Sequence, residues 1–160
     1  MSLAKEVHEL IVIPTLREIG MGGEDAEKLM ICTGMQESGF AHITQMGGGP
    51  AKGPWQVEGK PSYTHSDIKG SLLRPGREAL LNKILIACNM VTLPKDEFLI
   101  HNWKYNLIIA RLVYARHLEP LPSCSDIEAM ARYYVKYYNA GGKARLSSVI
   151  KTFDKTLKQL

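Results

Sequence analysis

Apolar residues recur at helical spacing along most of the chain. From Leu3 to Ile19 they fall at Val7, Leu10, Ile11, Leu16 and Ile19, which predicts a first helix. Pro14 lies inside this run, where a missing amide donor predicts a kink or a break. Gly20, Gly22 and Gly23 stop it. A second helix is predicted from about Asp25 to Ser38, with Glu24, Asp25 and Glu27 crowding the first turn, where the helix dipole favours negative charge. Ala26, Leu29, Met30 and Thr33 share one face, and Glu37 continues it. Gly39 supplies a left-handed stop, with Phe40 placed to fold back.

The helical pattern then lapses. Ala41 to Gly59 reads as irregular chain or a short hairpin, too rich in glycine for a helix and too broken for a long strand. Ser62 to Lys69 predicts one helical turn, and Ser71 to Gly76 a turn around Pro75. Arg77 to Met90 is helical, with Leu80, Leu81, Ile84, Leu85 and Cys88 in one stripe. The longest pattern runs from Lys95 or Asp96 to Leu118. It is apolar on most sides, through Ile100, Trp103, Leu107, Ile108, Leu112 and Tyr114, and predicts a central buried helix. Ser125-Asp126-Ile127-Glu128 has the form of a capping box with Ser125 as cap. The helix it starts carries Met130, Tyr133, Tyr134, Tyr137 and Tyr138 and ends at Asn139-Ala140-Gly141-Gly142. A last helix spans about Ala144 to Leu157. The pattern predicts one α+β domain over residues 1–160, predominantly α-helical, with a small strand or loop region after the second helix.

Composition narrows the class without choosing a function. A chain of 160 residues can bury a core without a metal or disulfide staple. Cys32, Cys88 and Cys124 are odd in number and lack metal-ligand spacing, so free thiols are expected. The net charge of +4 suits an anionic partner. Nucleic acid is not the expected one, because lysines and arginines scatter; Lys143 and Arg145 are the one notable pair near a helix start. No apolar run reaches the length of a membrane span, and no leading signal peptide is read.

Chemistry concentrates between Gln36 and Glu58, QESGFAHITQMGGGPAKGPWQVE. Glu37 lies on the apolar face and in the last turn of its helix. Burial and the dipole both disfavour its anion there, as a general acid requires. A solvated glutamate at a helix end is the alternative. Glu58 is a second carboxylate, able to act as base for water or to stabilise positive charge on a sugar, or simply to sit on the surface beside Lys60. Gly47 to Gly49 and Gly53 do not form a phosphate loop; they fit backbone approaching a ligand closely, or a flexible loop. Trp55 offers a face for a sugar, or a core side chain. The tyrosines at 133–138 span more than one helix face, so some line a groove. His42 is the one histidine inside the stretch. No histidine spacing predicts a metal, and no G-x-S-x-G elbow predicts a serine nucleophile. No cofactor is expected.

Three short motifs then stand in order. Glu37-Ser38-Gly39 closing a helix resembles the E-S motif of soluble lytic transglycosylases and goose-type lysozymes. Gly53-Pro54-Trp55-Gln56 is similar to their G-L-M-Q motif, and Tyr138-Asn139-Ala140-Gly141 matches their Y-N-A-G motif. The resemblance spans about Leu29 to Gly142. It implies a lysozyme-like fold and cleavage of peptidoglycan glycan strands between N-acetylmuramic acid and N-acetylglucosamine. Glu37 takes the acid role, Ser38 and Gln56 shape the site, and Tyr138 and Asn139 line the cleft. The run GGGPAKGPWQVE further resembles lysozyme-like proteins of bacteriophages, which implies a tie to the virion or to host lysis. The expected place of action is the bacterial wall, reached through a phage particle, a lysis system, or a leader not included in the sequence. Pro54-Trp55 departs from the usual Leu-Met. Glu58 stands where goose-type lysozymes carry an aspartate and transglycosylases lack a carboxylate. Both outcomes stay open, with the transglycosylase favoured; a non-catalytic wall-binding or virion structural module is the further alternative, against which the intact Glu37 argues.

Overall fold

The structure is a computed structural model that describes residues 1–160. The first helix, α1, is continuous through an α-helical Leu3–Val7, a π-helical His8–Val12 and an α-helical Ile13–Glu18. Pro14 falls in the first turn of the third segment. The amide of Ile13 reaches back five residues to the His8 carbonyl, so the turn before the proline is widened. The predicted break is therefore a local π segment, and the helix runs on.

Helix α2 is Glu24–Glu37. The amides of Ser38 and Gly39 both donate to the Gly34 carbonyl, and Gly39 takes φ +58°, as expected for a glycine-terminated helix. Phe40 also has positive φ and folds back against α2. It can do so because position 34 has no side chain: a Cβ there would stand 2.4 Å from the Phe40 ring.

The irregular stretch contains a minimal hairpin. Strands β1 (Ala51–Lys52) and β2 (Val57–Glu58) are antiparallel, with Ala51 opposite Glu58 and Lys52 opposite Val57. Thr44 adds one further bridge to Lys52. The helix that follows, α3, spans Thr64–Leu72 and is longer than the single predicted turn. Its buried side chains are His65, Ile68 and Leu72, and His65 is held from both sides. Its Nδ1 lies 2.6 Å from Asp96 Oδ1, and its Nε2 lies 2.9 Å from the Tyr105 hydroxyl. That polar anchor is invisible to a hydrophobic pattern.

Helix α4 is Glu78–Ala87. The long pattern expected from residue 95 to Leu118 is two helices, α5 (Phe98–His101) and α6 (Trp103–Ala115). Asn102 separates them in extended conformation, and its side chain caps α6 by accepting from the Tyr105 amide at 2.9 Å. Helix α6 is the central one: Tyr105, Leu107, Ile108, Ile109, Ala110 and Tyr114 are all fully buried.

Helix α7, Ile127–Tyr137, starts one residue later than the capping-box reading. Asp126, not Ser125, accepts from the Ala129 amide, and Glu128 pairs with Arg132 rather than reaching back. Helix α8, Leu146–Leu157, packs against α2 and α7. The chain is thus predominantly helical with a two-stranded sheet. All three cysteines are free thiols. No helix is long and apolar enough to cross a membrane.

Candidate active site

Glu37 is the last residue of α2 and stands half-buried at the wall of a cleft. Burial of its carboxyl raises the pKa from 4.5 to about 7. The negative charge of Glu58 adds to the rise, while a hydrogen bond from Tyr134 opposes it. The Tyr134 hydroxyl donates to Glu37 Oε1 at 2.6 Å. No lysine or arginine pairs with Glu37, so nothing neutralises its anion. Below it, the buried Tyr114 hydroxyl meets Thr33 Oγ1 at 2.9 Å, and Thr33 in turn donates to the Leu29 carbonyl. Burial and the charge of Glu37 hold the Tyr134 and Tyr138 phenols above their usual range, so both remain neutral donors.

The loop between β1 and β2 is fixed from three sides, mostly through its backbone. Ser38 Oγ donates to the Pro54 carbonyl at 2.6 Å and accepts from the Phe40 amide at 2.9 Å. Asn106, fully buried in α6, accepts from the Trp55 amide at 2.8 Å and donates to the Lys52 carbonyl at 3.0 Å. The Tyr138 hydroxyl donates to the Trp55 carbonyl at 2.6 Å. Ser38 and Tyr138 therefore tie the end of the acid-bearing helix and the Y-N-A-G segment to one loop.

Two expected ligand contacts are corrected here. Trp55 is fully buried, donates from Nε1 to the Met30 carbonyl at 2.8 Å, and packs edge-on against Phe40. Its ring is a core side chain with no face left for a sugar. Gly53 is buried as well, at φ +75°, and a Cβ there would stand 2.1 Å from the Leu99 carbonyl. Its missing side chain admits α5 and α6, not a ligand. Gln56, at φ +48°, donates from Nε2 to the Gly53 carbonyl at 2.9 Å and does line the cleft.

The cleft has a volume of about 550 Å³. Glu37, Gln56, Glu58, Tyr138 and Asn139 all line it, so the fold brings together residues about a hundred positions apart. His42 lines it too. Glu58 is exposed at the end of β2 and accepts from Ser62 Oγ at 2.7 Å. Asn139 accepts from the Ala144 amide at 3.3 Å, and a Cβ at Gly142 would collide with it. The residues outside the sequence expectations are Tyr134, Asn106 and Arg116. Tyr134 was within reach, since it stands one helical turn before Tyr138 on the same face. Asn106 was marked only as a polar position inside an apolar helix, and Arg116 by nothing beyond its charge.

Chemically, the cleft holds a carboxyl that keeps its proton near neutral pH and a neutral phenol that orients it. A second carboxylate lies within electrostatic reach. No group of three or more His, Cys, Asp or Glu side chains is arranged to hold a metal ion. The chain matches no protein-family model, and no curated protein or solved structure is found to be similar to it.

Proposed function

We propose that the protein is a peptidoglycan-cleaving muramidase with a lysozyme-like fold, acting on the bond between N-acetylmuramic acid and N-acetylglucosamine. The observation that carries this reading is the Glu37 carboxyl, with its pKa at about 7, on the wall of a cleft shared with Gln56, Tyr138 and Asn139. Glu37 delivers its proton to the glycosidic oxygen as the bond to the anomeric carbon breaks. The leaving sugar departs with that proton, and positive charge develops on the remaining ring. Glu37, now a carboxylate, takes the proton of the muramic acid's own six-hydroxyl as that oxygen closes on the anomeric carbon. The product is an anhydro sugar, and the acid is regenerated. This is the lytic transglycosylase outcome.

The second reading is hydrolysis, and the position of Glu58 in the same cleft favours it. There Glu58 orients water toward the anomeric carbon, and the product carries a reducing end. In either case the partners are glycan strands of the bacterial wall. The phage-like run from Gly47 to Glu58 supports delivery by a virion or a lysis system.

The test is digestion of purified sacculi with mass spectrometry of the soluble products. Anhydro ends mark the transglycosylase and reducing ends the hydrolase. Glu37→Gln should release nothing while remaining folded; release at the wild-type rate would overturn the assignment. Glu58→Gln should leave the anhydro product intact under the first reading and abolish release under the second.

A further inference from the structure

The cleft contains one permanent cation, and it has no partner. Arg116 follows the last turn of α6 and lines the cleft with Val113, three residues earlier and on the same helix face. No carboxylate pairs with its guanidinium, and no carbonyl accepts from it. The neighbouring cation shows what a partner looks like here. Lys136 is held by Glu119, which also accepts from the Tyr137 hydroxyl. Tyr137, another residue of the cleft wall, is further fixed by stacking on His117 with ring centres 4.1 Å apart. Arg116 thus stands beside a rigid wall with five donors unused. The two carboxyls of the cleft do not claim it: Glu37 is engaged by Tyr134, and Glu58 by Ser62.

We propose that Arg116 is a specificity-determining residue that binds a carboxylate carried by the sugar strand, so that the cleft selects acidic glycans over neutral ones. This deepens the muramidase reading and rests on it. The planar guanidinium suits a bidentate carboxylate; peptide stems supply that group where they are attached, and the lactyl ether of muramic acid supplies it only where no stem is joined to its carboxyl. The cleft is open to solvent, so the contribution is that of an exposed charge pair, about fivefold in apparent affinity.

The experiment uses purified sacculi and the same sacculi with their carboxyls converted to carboxamides. For the wild-type protein, KM should be about fivefold lower on untreated sacculi than on amidated ones. In Arg116→Gln that ratio should fall to about one, and Arg116→Lys should retain part of it. An amidase that cuts the lactyl–stem amide removes the stem carboxylates and frees the lactyl carboxylate, so stripping before the conversion to carboxamides separates the sources. A ratio that falls to about one on stripped sacculi assigns the stem, and a ratio kept on them shows that the lactyl carboxylate is bound where no stem covers it. A ratio unchanged in Arg116→Gln overturns the proposal. A parallel arm measures co-sedimentation of Glu37→Gln and of Glu37→Gln/Arg116→Gln with both sacculi, without any turnover. If the wild-type protein releases no sugar, the enzymatic reading fails. The sedimentation arm still decides Arg116, because equal binding of the two variants to untreated sacculi refutes its role.

Discussion

Replacing Glu37 by glutamine should make the protein more stable, and only above acid pH. In the folded state the Glu37 carboxyl has its pKa raised from 4.5 to about 7. A folded pKa above the unfolded one means that the native state holds its proton more tightly. The resulting stabilisation is complete below about pH 4.5 and is lost as the pH rises through about 7. Above that range the wild-type protein carries a dehydrated anion with no cation beside it. A rise from 4.5 to about 7 corresponds to roughly 3 kcal/mol at most. Glutamine has the shape of the protonated acid and can still accept from the Tyr134 hydroxyl, but it never ionises. Urea unfolding of Glu37→Gln and wild type at pH 4 and pH 8 should therefore give similar stabilities at the lower value. At the higher one the variant should gain roughly 3 kcal/mol, or a melting temperature higher by roughly 6–12 °C. Contributions of titrating groups that do not interact with Glu37 cancel in the comparison. A pH-independent difference, or a variant less stable at pH 8, would refute the account of a carboxyl strained by burial. The outcome does not depend on knowing the substrate.

Tyr134→Phe removes the one hydrogen bond that favours the Glu37 anion. The alkaline limb of the pH–rate profile on sacculi should move upward by about one pH unit; a limb that stays or moves down contradicts the assigned role. Gly53→Ala forces a Cβ into the Leu99 carbonyl and should cost more than about 3 kcal/mol in urea unfolding, or prevent folding. Asn106→Leu orphans the Trp55 amide and the Lys52 carbonyl and should cost about 2–4 kcal/mol, read by the same method. Trp55→Phe should lower the melting temperature yet leave KM on sacculi within about twofold, since the ring touches core and not cleft.

Much of this arrangement was legible in the chain. Helical periodicity placed Glu37 at the end of an apolar face, and the irregular stretch contains a two-stranded hairpin at Ala51–Glu58. Periodicity failed where it had nothing to repeat. In a loop dense with glycine, no pattern tells an inward Trp55 from an outward one; the Gly34 notch that seats Phe40 beside it lies in the preceding helix, outside the loop. The split at Asn102 is not visible in the pattern because apolar residues resume on both sides, at Ile100 and Trp103, while one side-chain amide competing for the backbone is enough to end a helix. Ser125 and Asp126 are both competent caps, so the choice fell to tertiary context. The link from Tyr134 to Glu37 bridges 97 positions, a distance over which only the assembled core determines who meets whom.

Apart from the Trp55 indole, which donates to the Met30 carbonyl, the loop from Lys52 to Trp55 is hydrogen-bonded to its neighbours as main chain: the carbonyls of Lys52, Pro54 and Trp55 and the amide of Trp55. Anchors of that kind are indifferent to what the loop's own side chains are. Positions 54 and 55 are therefore free to trade one apolar pair for another of similar volume while the acid keeps its place. For anyone redesigning the loop, positions 54 and 55 are the adjustable parts, whereas Gly53, Ser38, Asn106 and Tyr138 are the fixtures to leave alone.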